Sequence, residues 1–300
     1  MILSLRSGLM TDMAENITNM PPIAIFCYDF DGTLIPGNMQ EYGLIQSLGF
    51  KTPGDFWGAV LEYTKQTGSE SVLSYMKFMA DCGAAVEPNP LTKDSFRAFG
   101  EKMEYFRGVE DWFDIVNSYA ESRNISTEHY IISSGLSEIL EGTSIARHFK
   151  AIFASSYIYE NNIPVWPSRI INYTGKTQYL YRISKGAMDL RNDRKVNSHI
   201  PDTKKHAHFS NIIYIGDGET DIPCMQVIKN KGGVSVAVYD PEDPKRKNTA
   251  EKLKRDGRVQ YALPADYTEG ERLMTSAMAA IDRIAAASEI QIPAELCACR

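Results

Sequence analysis

The chain has 300 residues, 43% of them hydrophobic and 23% charged, with a formal net charge of −6. That length and composition suit a soluble globular protein of one large or two ordinary domains, and the acidic balance gives no electrostatic case for general nucleic-acid or anionic-membrane binding. The five cysteines, Cys27, Cys82, Cys224, Cys297 and Cys299, are odd in number and scattered, which is no disulfide framework and suits a reducing, cytoplasmic setting.

Residues 1–21 hold only a short apolar run, broken by Asp12 and Glu15. They read as a disordered leader, or as an early start codon ahead of Met10 or Met13, rather than a signal peptide. No stretch approaches the roughly 20 apolar residues of a membrane span. Ile23–Tyr28 is continuously apolar, as a strand buried on both faces of a parallel sheet would be. From 37 to 106 the pattern turns helical, with Tyr42, Ile45 and Leu48, then Phe56, Trp57, Val60 and Leu61, then Val72, Tyr75, Met76 and Met79 at helical spacing. Asp81-Cys-Gly83, Glu87-Pro-Asn-Pro90 and Phe106-Arg-Gly108 punctuate it.

Val109, Trp112, Phe113, Val116 and Ala120 mark one amphipathic helix. A second strand is expected over 129–132, ending at Ser133-Ser-Gly135, then a helix to about Leu140 and a short strand over 151–154. The alternating stretch 156–173, with Asn161-Asn162 and two prolines, reads as an extended hairpin, and 177–188 as a helix. Buried strands follow over 211–215 and Val234–Tyr239, with a helix beginning at Pro223 between them; a last strand over 258–263 and a closing helix over 271–287 complete the chain. The basic segment 191–208 reads as a solvated loop, and Cys297-Ala-Cys299 as part of a frayed tail over 291–300.

Strands alternating with helices make an α/β fold with a helix-covered parallel sheet, in which ligands bind beyond the carboxyl ends of the strands. Asp29 and Asp31 follow the first strand, Ser133 the second and Asp217 the strand over 211–215. Two buried like charges are costly, and taken alone Asp-Gly-Thr after a strand is ordinary turn chemistry. A second acidic cluster, Gly216-Asp-Gly-Glu-Thr-Asp221, closes another buried strand. Its Asp217 and Asp221 are four apart, so at a helix start both can face one side. Carboxylates converging at one sheet edge call for a hard divalent cation, and magnesium with oxygen ligands is the natural choice. A bare strand–helix–strand unit needs about 30 residues, so 37–106 is an insertion placed to cover that edge.

In chain order, Asp29-Phe-Asp-Gly-Thr-Leu34, Ser133, Lys176 and Gly216-Asp-Gly-x-x-Asp221 resemble the four motifs of the haloacid dehalogenase-like hydrolase superfamily. The helical insertion after the first motif is similar to the phosphoserine-phosphatase-like branch. The resemblance implies a three-layer Rossmann-like core over 22–36 and 107–290 with an inserted α-helical cap over 37–106. It implies a magnesium-dependent phosphatase acting on a small phosphorylated metabolite through an aspartyl phosphate. Asp29 would be the nucleophile and Asp31 the general acid and base; Ser133 and Lys176 would hold phosphoryl oxygens, and Thr33 would support the loop. Mg2+ would be held by the Asp29 carboxylate, the Asp31 carbonyl and Asp217, with Asp221 ordering metal-bound water. Ser134 is the alternative to Ser133, and Lys185 to Lys176. An acid two residues after the nucleophile points to a phosphatase or a phosphomutase, and away from a non-catalytic phospho-acceptor or scaffold. One departure stands out: phosphoserine-specific relatives place an acidic residue nine positions after the nucleophile, where this chain has Asn38, with Glu41 a turn further on.

Overall fold

The computed structural model describes residues 22–289; the leader, the tail and the Cys297–Cys299 pair lie outside them. Seven strands form one sheet in the order β4-β3-β2-β1-β5-β6-β7: β1 Ile23–Tyr28, β2 Ser126–Leu136, β3 Phe149–Glu160, β4 Ile163–Arg169, β5 Ile212–Gly216, β6 Val234–Tyr239 and β7 Tyr261–Pro264. All pairings are parallel except β3 with β4. The helices are α1 Leu44–Ser47, α2 Pro53–Thr67, α3 Ser71–Ala84, α4 Lys93–Gly100, α5 Val109–Glu121, α6 Ser137–Glu141, α7 Thr177–Lys185, α8 Asp193–Asn197, α9 Ile222–Asn230, α10 Pro244–Arg255 and α11 Arg272–Glu289. No described helix is long and apolar enough to cross a membrane.

The apolar run of β1 is explained by its two covered faces. Ala24, Phe26 and Tyr28 join one core cluster with Trp112, Phe113 and Met274, while Ile25 and Cys27 join another with Tyr179, Ile183, Cys224 and Ile228. This alternation follows from the two-residue period of a strand. At the far edge, Asn161 and Asn162 both take positive φ, 49° and 69°, closing the β3–β4 hairpin; this is the two-residue turn that matches strand twist.

Elsewhere the elements outrun the local pattern. β2 extends over 126–136 rather than 129–132, because Thr127 and Glu128 pair with Ala24 and Ile25 although polar. Ser133 therefore lies inside the strand, within a break of register between Ile132 and Leu136. α3 continues through Asp81-Cys-Gly83, where Gly83 packs against Leu91.

The segment 37–106 supplies α1 to α4. Thr52 and Asp55 form a reciprocal capping box that starts α2, with Pro53 in its first turn, an arrangement that satisfies otherwise orphaned amide groups. Phe56, Val60, Val72, Tyr75, Met76, Met79, Phe96 and Phe99 share one apolar cluster with the β1 face. Leu61 does not: it faces solvent, because Phe56 and Val60 already make the buried stripe of α2. Hydrogen bonds that fasten the insertion to the core include Tyr75 Oη to Ser134 O (2.9 Å), Tyr157 Oη to Met76 O (2.6 Å), the Lys93 amide to Asn162 O (3.0 Å) and Asn172 Nδ2 to Glu70 Oε1 (2.6 Å).

A buried polar relay crosses the core below β1's carboxyl end. Trp112 Nε1 donates to Tyr28 Oη (2.8 Å), which donates to His129 Nδ1 (2.9 Å); His129 Nε2 donates to Asn117 Oδ1 (2.8 Å), an atom that can only accept. Burial, helped by His148, pushes His129 down from 6.5 to about 3. Its folded value lies below its unfolded one, so its contribution to stability is complete above about 6.5 and is lost as pH falls toward 3. Urea denaturation should show His129→Gln losing less stability than the parent between about pH 6 and pH 4, by about 1.4 kcal/mol per unit. Equal slopes would contradict a neutral buried imidazole.

Candidate active site

The parallel register brings the acidic motifs together. Tyr28 is flanked by Ile131 of β2 and Ile215 of β5, and the Asp29 amide donates to Ile215 O (3.0 Å). β1 and β5 thus release Asp29 and Asp217 side by side at their carboxyl ends. The short 3-10 turn after Gly218 then returns Asp221 beneath them. Oxygen atoms of Asp29, Asp217 and Asp221 lie within 4.8 Å of one another.

Lys176 reaches this cluster from the turn before α7. Its Nζ, 0% exposed, sits 2.8 Å from Asp29 Oδ2 and 2.7 Å from Asp221 Oδ1. Tyr214 Oη donates to the same Asp221 oxygen (2.6 Å), and the Phe30 amide to Asp29 Oδ1 (2.8 Å). Burial works against the Lys176 charge, but Asp221 and Asp29 outweigh it and hold the ammonium above its ordinary value. Burial, then the charge of Asp221, lifts Asp29 well above the usual carboxyl range against the pull of Lys176. The same two causes raise Asp217 to about 6, opposed by Arg246. Lys185, the alternative lysine, instead donates to Val196 O (2.6 Å) and Ser198 O (2.9 Å).

Asp31 is oriented separately. Its Oδ1 accepts from the Met39 amide (2.8 Å), and burial raises the carboxyl to about 7 despite that bond, with Asp217 adding to the rise. Gly32, at φ +67°, turns the chain directly after Asp31, and any Cβ there would collide with Asp217 Oδ2. A Cβ on Gly135 would meet Met39 and lie 3.3 Å from Asp31 Oδ2, so the Ser133–Gly135 end of β2 borders Asp31. Ser133 Oγ is buried and accepts from the Gly135 amide (3.0 Å), whereas Ser134 Oγ and Thr33 Oγ1 are buried without a partner. Thr33 O accepts from Tyr267 Oη (2.7 Å), which fastens the loop to the core. Asn38 and Glu41 pair with each other, Asn38 Nδ2 donating to Glu41 Oε1 (2.6 Å), and Trp57 Nε1 donates to the same oxygen (3.2 Å).

Three residues here escape the sequence pattern. Arg246, at the start of α10, pairs with Asp217. Its only local signal is Asp243-Pro244, an N-cap followed by a first-turn proline. Tyr214 reads as strand core, and nothing in its spacing announces the hydroxyl contact to Asp221. Gln40 is buried with Oε1 unpartnered, directly after the Met39 amide that holds Asp31. The donors at the cluster are carboxylate oxygens alone, with no soft ligand among them, a set that fits a hard cation such as magnesium.

A model of the haloacid dehalogenase-like hydrolases matches residues 26–226. The chain belongs to the haloacid dehalogenase-like hydrolase family. An uncharacterized protein of Borreliella burgdorferi is 29% identical over 278 residues, spanning 84% of this chain and 94% of its own. The fold of this family member is also that of a HAD family hydrolase from Salmonella enterica serovar Typhi, at 16% identity and TM-score 0.52, covering 82% of this chain and 68% of that one. A phosphoserine phosphatase structure, described as a phospho-aspartyl intermediate analogue, aligns at 13% identity and TM-score 0.49 over 80% of this chain and 93% of its own.

Proposed function

We propose that this hydrolase is a magnesium-dependent phosphatase of a small phosphorylated metabolite, working through an aspartyl phosphate on Asp29. The observation that carries the reading is the pair of opening carboxylates in two different environments. Burial raises both carboxyls, but Asp29 sits between the Phe30 amide and the Lys176 ammonium, beside Asp217 and Asp221 where a bound cation would hold it ionised, while Asp31, two residues on, stands apart on the Met39 amide, raised to about 7. One is built to attack and the other to carry a proton near neutral pH.

In the first half-reaction an Asp29 oxygen bonds to phosphorus as the ester P–O bond breaks, and Asp31 gives its proton to the leaving oxygen. In the second, Asp31 takes a proton from water as that water attacks phosphorus, and Asp29 leaves as a carboxylate. Lys176 and Ser133 hold phosphoryl oxygens, and Thr33 supports the loop. Asp29, the Asp31 carbonyl and Asp217, with Asp221 behind them, would hold magnesium, whose charge would let an anionic nucleophile meet an anionic phosphate. The core over 22–36 and 107–290 carries these groups, and the cap over 37–106 reads the leaving group.

Phosphate release from a panel of phosphomonoesters, with magnesium and with EDTA, tests the reading. Calcium is expected to suppress turnover, because it prefers more ligands in a looser geometry. Full turnover after exhaustive chelation would contradict the metal assignment. The cap carries its own prediction. Asn38→Glu sets a second carboxylate beside Glu41, so the rate on amino-bearing phosphates should rise relative to neutral ones. An unchanged ratio in a competition assay would place leaving-group recognition elsewhere.

A further inference from the structure

Away from the carboxylate cluster, a cleft of about 400 Å³ lies between the end of β4, α7 and the segment that follows it. Its lining includes Arg169, Gln178, Tyr179, Arg182, Arg191 and Asp193, none of which belongs to the catalytic cluster. Three guanidinium groups gather there, against Asp193 in the cleft and Asp189 at its rim, in a chain whose net charge is −6.

Arg182 is the anchor. It is 3% exposed, and its Nη1 donates to Ala187 O (3.4 Å) and Asp189 O (3.2 Å), yet its buried Nε has no partner. The carboxylate paired with it belongs to Asp193, a side chain 73% exposed. Arg169 donates Nε to Ala154 O (2.6 Å), and no ion pair engages it among the described residues. Arg191 is held by Asp189 (3.0 Å) at the rim. A buried donor left without an acceptor costs free energy, and a buried guanidinium with only a solvent-facing partner is poorly compensated. An anion in the cleft would supply the missing compensation for the guanidinium charge.

We propose that this cleft is a second small-molecule site that takes a phosphate-bearing metabolite. Guanidinium forks match the paired oxygens of phosphate. Arg182 and Arg191 have Asp193 and Asp189 as counter-charges, which leaves the Arg169 cation as the surplus, and a phosphate has oxygens enough to engage more than one guanidinium at once, where a carboxylate has two. The volume falls in the usual range of ligand pockets, roughly 300–1,000 Å³, and the buried Tyr179 ring offers a wall for the carbon part of a ligand. Its occupant would rest on α7, the helix that begins at the residue after Lys176.

Calorimetric titration of the full chain with inorganic phosphate tests this. In EDTA, where the three active-site carboxylates repel phosphate, one equivalent should bind. Arg169→Gln and Arg191→Glu should each weaken that binding at least roughly tenfold, while magnesium-supported turnover of a chromogenic phosphomonoester stays unchanged. Acetate at matched concentration should bind more weakly than phosphate. Arg191 lies at the rim with its side chain 91% exposed, so its variant keeps the fold. No binding in EDTA, equal affinity in the parent and both variants, or acetate binding as tight as phosphate would overturn the proposal. The binding readout needs no turnover, so it stands or falls separately from the phosphatase reading.

Discussion

Asp29→Asn should abolish turnover outright, and Asp31→Asn should slow it by roughly 10²–10⁴-fold, the usual worth of a positioned acid–base group. The carboxamide at position 29 keeps the size of the side chain and can still accept from the Phe30 amide, but it is a very poor nucleophile. At position 31 the Met39 amide can hold a carboxamide oxygen as it holds Oδ1 now, so the loop keeps its shape while the proton source is gone. The loss in Asp31→Asn should depend on the leaving group, being smallest with an activated ester that needs little protonation. Steady-state kinetics with a phenolic and an alkyl phosphomonoester read this directly. Equal turnover in the two variants would mean the roles are misassigned.

Lys176→Met should damage both stability and activity. The ammonium is enclosed and bonds Asp29 and Asp221 at 2.8 and 2.7 Å; methionine keeps the bulk and removes the charge. Two buried carboxylates then face each other without a counter-charge, beside Asp217. Breaking a buried ion pair by removing one partner costs about 3–5 kcal/mol, which in a chain of this size lowers Tm on the order of 10 °C. Adding Asp221→Asn should recover part of that loss, because it removes the repulsion that Lys176 had offset. Turnover should stay low in the double variant, since the ammonium that would hold a phosphoryl oxygen is gone. Differential scanning calorimetry of the three proteins separates the effects. A single variant as stable as the parent would show that Lys176 does not hold the cluster together.

The central strands were legible because burial on both faces leaves no choice of residue. β1 and β6 match their apolar runs end to end, and the Asn161-Asn162 turn was plain in its composition. The acidic motifs were legible for the same reason, since a carboxylate directly after such a run must sit at the sheet's carboxyl edge. α10 was not legible. Only Ala250 and Leu253 of its twelve residues are buried, so no apolar stripe marks it, and with it went Arg246. The basic segment 191–208 has the composition of a solvated loop, yet it contains α8 and is tied back to the core. Lys195 Nζ donates to Gly186 O (2.7 Å), and His206 Nε2 lies 2.7 Å from Glu128 Oε2. One is a lysine bonding a backbone carbonyl nine residues back and the other joins polar side chains 78 apart in sequence, and neither leaves a periodic trace. Ser133 and Ser134 illustrate the same limit: adjacent residues of one type differ only in which oxygen finds a partner after folding.

The most direct measurement is an acid quench of Asp31→Asn during turnover of an activated phosphomonoester with magnesium, followed by intact-protein mass spectrometry and peptide mapping. Loss of the base should slow water attack on the intermediate more than its formation, so one phosphoryl group should accumulate on the protein and map to Asp29. Asp29→Asn under the same conditions should carry none. A phosphoryl group mapped to any other residue, or a variant that turns over with no covalent species in the quench, would contradict the aspartyl-phosphate account.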